Sequence, residues 1–173
     1  MGDVNVDDHR NYHIFCEVYI VCNDHVLLFK RSDRSKWFPG YWVGPGGHIE
    51  DREDILTAVI RETKEETDVT IQPKETKLKV VGLHYYTDKK ELCVEYLFLA
   101  KIKNQQKIKS AMQEGEAKWV AIDDALTMDK VLPPAKYYFD HILKDQPGVM
   151  FNNSLWKEGK LEKMLSQLTD ANR

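Results

Sequence analysis

Glu62, Glu65 and Glu66 fall within the one segment that reads most clearly as a helix, and this coincidence constrains the chain more than any other feature. Residues 54–67 place Ile55, Ala58, Val59 and Thr63 at i, i+3, i+4 and i+8, an apolar face of helical period. Asp51 or Asp54 is the expected N-cap. On such a helix the three glutamates emerge on one side about one turn apart. Like charges so close weaken the helix unless something positive neutralises them. An all-oxygen donor set suits a hard divalent cation, Mg2+ or Mn2+, rather than zinc, which favours His or Cys. Arg61 can pair with Glu65 at i+4 or reach back to Glu53, and either contact holds the array in register. The Gly46-Gly47 turn lets the backbone approach closely, so a carbonyl there can complete a metal site. The bland alternative is a solvated acidic helix face, which is what most charge runs are.

The surrounding pattern is mixed. Residues 12–22 and 26–30 flank the turn-like Asn23-Asp24 and read as a β-hairpin. Residues 31–47 form a Pro/Gly-punctuated loop with a short strand at 41–43. Residues 79–87 and 93–103 read as strands joined by a charged turn at 88–91, and a polar loop at 104–116 leads to a strand at 119–122. Pro133-Pro134 opens a helix through Leu143. Residues 155–168 carry partial helical spacing (Trp156, Leu161, Met164, Leu165, Leu168) and read as a final amphipathic helix. Strands before, around and after one well-marked helix give an α/β class with a mixed sheet rather than a doubly wound parallel one.

The spacing decides against a merely solvated face. Gly47, five residues, Glu53, seven residues, Arg61-Glu62, two residues, Glu65-Glu66 resembles the Nudix box, G-x5-E-x7-R-E-U-x-E-E-x-G-U with U aliphatic. Six such fixed positions recur by chance in on the order of 10^-5 sequences of this length. Thr63 stands at an aliphatic position, and Asp68 replaces the last glycine, where Asp tolerates a left-handed turn better than most residues. The resemblance runs over residues 12–143 and implies a Nudix α/β/α sandwich hydrolysing a nucleoside diphosphate linked to another moiety with Mg2+ or Mn2+. It implies that Glu62, Glu65 and Glu66 bind metal with the Gly46 carbonyl, and that Arg61 and Glu53 orient them. A later glutamate, Glu114 or Glu116, is the further ligand or base. Lys30 and Arg31 resemble the basic pair that reaches substrate phosphates, and Gly47 borders the same place.

Substrate identity sits outside the box. Residues 132–136 resemble a MutT segment in which an asparagine reads a purine, but Lys136 stands there, offering donors only. Tyr85 and Tyr86 fall where the dinucleoside polyphosphate branch favours a tyrosine, and the absence of a proline between Pro73 and Pro133 counts against ADP-ribose. Trp37, Phe38, Tyr41 and Trp42 either stack on a base or anchor a loop. The expected activity is hydrolysis of a nucleoside triphosphate, 8-oxo-dGTP included, to monophosphate and pyrophosphate. The alternatives are dinucleoside polyphosphate cleavage and a non-catalytic nucleotide-binding module.

Composition sets the context. A net charge of −3 is too balanced to hold nucleic acid or an anionic membrane by overall field. No apolar run is long enough for a span, and the acidic start resembles neither a signal nor a transit peptide. Cys16, Cys22 and Cys93 lack pairing and metal spacing and are expected as buried free thiols in the cytoplasm. Residues 1–145 are expected as the hydrolase domain and 146–173 as a helical extension that packs on it or forms a homodimer.

Overall fold

The computed structural model describes residues 11–109, 111–112 and 115–169. Strand β1 (Asn11–Cys22) turns through Asn23, whose φ of 55° is left-handed, into β2 (His25–Arg31). Short strands β3 (Trp42–Val43) and β4 (Gly46–His48) pair with β2 and β1. Helix α1 (Ile55–Thr67) follows, then β5 (Thr76–Tyr86), β6 (Glu91–Lys101), β7 (Ala111–Met112) and β8 (Gly115–Ala121). Helices α2 (Ile122–Thr127) and α3 (Ala135–Leu143) precede a last hairpin, β9 (Met150–Lys157) and β10 (Lys160–Leu168).

The sheet runs β10-β9-β5-β6-β1-β2-β8-β7 and is mixed: β1/β6 and β5/β9 are parallel, and the other neighbours are antiparallel. Strand alternation gives each face its own core. Cys16, Val18 and Ile20 of β1 pack with Ala58 and Val59 of α1. Tyr19 and Val21 of the same strand pack on the opposite face with Tyr138, Phe139 and Ile142 of α3. The result is an α/β/α sandwich, each fully buried Leu or Ile contributing about 1.5–3 kcal/mol.

Helix α1 follows its local signals. Asp54 is the N-cap, its carboxylate accepting from the N–H groups of Leu56 (3.0 Å) and Thr57 (3.1 Å). Asp68 closes the helix at φ 64°, its own N–H bonded to the Lys64 carbonyl, so the expected left-handed cap forms without glycine. Thr63 is fully buried, and its hydroxyl donates to the Val59 carbonyl at 2.6 Å, which makes a polar residue tolerable on the core face.

The end of the chain differs from expectation. Residues 155–168 are not a helix but most of a β-hairpin, so the described part of the segment, 146–169, is no helical extension: β9 joins the main sheet beside β5. Two local features select the hairpin. Glu158 (φ 49°) and Gly159 (φ 73°) are both left-handed, as a tight hairpin turn with the twist of its flanking strands requires. Asn152, Ser154 and Trp156 are buried at a period of two. Helix α2 and the short strand β7 were also not expected, and β5 begins three residues earlier than the sequence suggested.

Candidate active site

The close approach of β4 to α1 builds the centre of the site. Pairing of β4 with β1 brings Gly46 opposite Glu17 and Gly47 opposite Cys16. The Gly46 N–H donates to Glu66 Oε2 at 2.8 Å, tying the strand to the helix. A Cβ on Gly47 would lie 2.5 Å from the Glu62 carboxylate, so the missing side chain is the space that this carboxylate occupies. On Gly46 a Cβ would lie 2.1 Å from the Cys16 carbonyl oxygen.

Arg61 organises the acids. Its Nε and Nη2 donate to the two oxygens of Glu53 at 2.9 and 2.8 Å, and Nη2 also reaches the His48 carbonyl at 3.2 Å. Nη1 donates to Glu62 Oε1 at 2.9 Å and Glu65 Oε2 at 3.3 Å. This arginine holds the Glu53 carboxyl below the usual range, while the acids around it push the guanidinium pKa up despite some burial.

Glu62 and Glu66 line a cleft of about 760 Å3 together with Gly46, Gly47, Glu50 and Arg31. Glu65 is 61% exposed, turned toward Arg61, and is not among the lining residues. Among the described residues no three Asp, Glu, His or Cys side chains are gathered at ligand spacing. The donors still fit a hard cation: all are oxygens, two carboxylates share the cleft wall, and Gly47 leaves room for one of them. Recruiting Glu65 requires it to leave Arg61.

The other expected residues are spread around this centre. Arg31 lines the cleft, its Nε donating to the Trp37 carbonyl at 2.9 Å. Lys30 lies across the β2/β8 ladder from the exposed Glu116, 4.0 Å between Nζ and Oε1, and Glu114 falls outside the described residues. Lys30, Tyr85 and Lys136 do not line the cleft. Alternation along β5 directs Tyr86 into it and Tyr85 to the other face. Lys136 borders a smaller groove with Pro133, Tyr137 and the β10 residues Lys160 to Met164.

Several lining residues had escaped the sequence reading. Glu17, His84, Glu95 and Trp156 form the inner end of the cleft with Trp37, Phe38 and Tyr86. Trp156 stacks on Tyr86 at 5.6 Å and 20°, with the Phe38 edge 5.4 Å away. Burial, and then the charge of Glu95, pushes the Glu17 carboxyl up to about 8, although Oε1 accepts from the Gly44 N–H at 2.7 Å. Burial likewise pushes the thiol of Cys16 up to about 12 and that of Cys93 to about 11, so neither cleft cysteine is a ready nucleophile. The missed signal was a charged residue inside an otherwise apolar strand, as at Glu17 and Glu95.

Residues 17–141 match the family described as NUDIX domain. The chain is 30% identical over 128 residues to the uncharacterized Nudix hydrolase YvcI of Bacillus subtilis (strain 168), covering 72% of this chain and 75% of that one. It is 41% identical over 61 residues to the m7GpppN-mRNA hydrolase NUDT17 of Danio rerio, but that match covers only 35% of this chain and 20% of the relative. The Bis(5'-nucleosyl)-tetraphosphatase [asymmetrical] of Caenorhabditis elegans is 33% identical over 94 residues, 54% of this chain and 67% of that one. In fold, the MutT protein from Bacillus halodurans superposes with a TM-score of 0.75 at 23% identity, over 89% of this chain and 97% of that one. No helix among the described residues is long and apolar enough to cross a membrane.

Proposed function

The chain belongs to the NUDIX family of hydrolases, and on that premise we propose that it hydrolyses the phosphoanhydride of a nucleoside triphosphate to a nucleoside monophosphate and pyrophosphate. The observation that carries this reading is one cleft holding both the Glu62/Glu66 wall beside Gly46-Gly47 and an aromatic end of a size to take a base. Glu62, Glu65 and Glu66, with the Gly46 carbonyl, are the residues that would hold Mg2+ or Mn2+. That ion supplies charge neutralisation for phosphate oxygens and a lowered pKa for water. Arg31, at the cleft edge, faces the substrate's negative charge, with Lys30 next along the strand.

The reaction adds one water across the P–O–P bridge. The water oxygen forms the new bond to phosphorus, its proton passes to a carboxylate, and the bridging oxygen leaves with the departing phosphate. Arg61 keeps the acids aligned without touching the reacting atoms, and Glu53 fixes Arg61. Of the two later glutamates proposed as a further ligand or base, Glu116 stands beside Lys30 outside the cleft lining, and Glu114 lies beyond the described residues.

A second reading, dinucleoside polyphosphate cleavage, is favoured by the likeness to the Caenorhabditis elegans tetraphosphatase. A phosphate-release screen with Mg2+ or Mn2+ separates the two. Nucleoside triphosphates, 8-oxo-dGTP included, are turned over fastest under the first reading and diadenosine tetraphosphate under the second. Inertness toward every nucleotide with either ion assigns the chain to the non-catalytic binding modules instead.

A further inference from the structure

The polar floor at the inner end of the cleft is built from three strands, β9, β5 and β6. Trp156 Nε1 donates to Ser154 Oγ at 2.7 Å, Ser154 Oγ lies 2.6 Å from His84 Nδ1, and His84 Nε2 lies 2.9 Å from Glu95 Oε2. The indole N–H can only donate, so Ser154 Oγ accepts it and, with a second lone pair and a proton of its own, meets His84 Nδ1 in either protonation form. A carboxylate only accepts, so the Nε2 proton goes to Glu95. Gly82 makes the arrangement possible, since a Cβ there would lie 2.6 Å from His84 Nε2.

Two consequences meet at Glu95. The carboxylate ends this hydrogen-bonded chain, and its side chain is only 15% exposed, so its position is held tightly. It also lines the cavity that contains the rings of Trp37, Phe38, Tyr86 and Trp156. Beside it the buried Tyr138 hydroxyl, also lining the cavity, has no hydrogen-bond partner of good geometry among the described residues. A cavity with aromatic faces on its sides and an acceptor on its floor fits a planar heterocycle presenting N–H donors.

We infer that Glu95, positioned by the His84–Ser154–Trp156 chain, reads the base and selects one with two adjacent N–H donors, the guanine-type edge. This inference rests on the proposal that the cleft takes a nucleotide. The N1–H and exocyclic 2-amino group of guanine can both donate to one carboxylate, and 8-oxoguanine presents the same edge. Hypoxanthine offers one of these donors. Adenine sets an acceptor nitrogen beside its amino group, and cytosine does the same, so each would face the carboxylate with a lone pair. A site built to accept two hydrogen bonds rejects bases that leave it unpaired.

Product binding tests this without hydrolysis or metal. Quenching of tryptophan fluorescence, with Trp37 and Trp156 both in the cleft, gives dissociation constants for GMP, 8-oxo-GMP, IMP and AMP. Both guanine-type monophosphates are expected to bind about tenfold or more tightly than AMP, with IMP between. Glu95→Gln keeps the side-chain shape and an acceptor for His84, and it should bring the GMP-to-AMP ratio to within about threefold. Matching melting temperatures establish that the variant is folded, and His84→Gln serves as a second variant if it is not. AMP binding as tightly as GMP, an unchanged ratio in the folded variant, or no quenching by any nucleotide overturns the inference. Metal-dependent hydrolysis of triphosphates irrespective of base would leave the proposed reaction standing while removing this specificity.

Discussion

Arg61 grips Glu53 with two parallel hydrogen bonds, at 2.9 and 2.8 Å, across the eight residues from the loop before α1 to its second turn. The same guanidinium has a nitrogen left for Glu62 and Glu65. Only a planar fork can do both, because an ammonium is a point donor. Arg61→Lys should therefore lower kcat by about 100-fold with KM nearly unchanged. Steady-state kinetics check this, and a variant with wild-type kcat would show that the fork does not position the acids.

The two glycines of β4 should fail differently. At Gly47 an added methyl meets the tip of Glu62, which can swing aside. Gly47→Ala is expected to lose about tenfold or more in activity with unfolding free energy within about 1 kcal/mol of wild type. At Gly46 the methyl meets the Cys16 backbone carbonyl, which cannot swing aside. Gly46→Ala should cost about 2 kcal/mol or more in urea unfolding.

Trp156 joins stability to the site. It is 1% exposed, belongs to the last hairpin and stacks on Tyr86 of β5 in the cleft wall. Trp156→Ala should cost about 3–5 kcal/mol in urea unfolding. Trp156→Phe keeps a ring but releases Ser154, and should cost less than about 1.5 kcal/mol while raising the KM for nucleotide several-fold. Equal unfolding curves for wild type and Trp156→Ala would contradict the packing described.

Away from the site, Asp145 accepts from Lys77 (3.0 Å), Lys79 (3.3 Å) and Lys101 (2.8 Å), tying the turn after α3 to β5 and β6. Burial opposes ionisation of this carboxyl, but the three lysines together hold it well below the usual carboxylate range. Lys79 is only 4% exposed, so removing its counter-charge leaves a buried ammonium. Asp145→Asn should cost about 3 kcal/mol at pH 7. A depressed native pKa gives stability that is fully present above the ordinary carboxylate value and is lost as pH falls through the native one. The gap between wild type and variant should therefore close as acid unfolding is approached, and a gap constant from pH 7 to pH 2 would exclude this cluster as its source.

What the sequence revealed was whatever is written locally. The first hairpin, α1 with its Asp54 cap and Asp68 stop, and the acid array all depend on residues within a turn or two of one another. Glu17, His84, Glu95 and Trp156 come from β1, β5, β6 and β9, and their meeting depends on a sheet order that does not follow the chain. The last hairpin was misread because Leu161, Met164, Leu165 and Leu168 loosely fit helical spacing. The deciding features were the left-handed pair Glu158-Gly159 and the parallel pairing of β9 with β5, and that pairing is long-range. Misreading it also hid Trp156 and with it the closed end of the cleft.

Glu65 offers the most direct test, because its carboxylate is exposed and touches only Arg61 among the interactions described, so replacing it should not disturb packing. Pyrophosphate release from a nucleoside triphosphate with Mg2+, measured for wild type and Glu65→Gln alongside their melting temperatures, reads whether this carboxylate serves the metal rather than the packing. A loss of about 100-fold or more is expected, with a melting temperature equal to or above that of wild type because a like-charge repulsion on α1 is relieved. Turnover by Glu65→Gln within about threefold of wild type would contradict it.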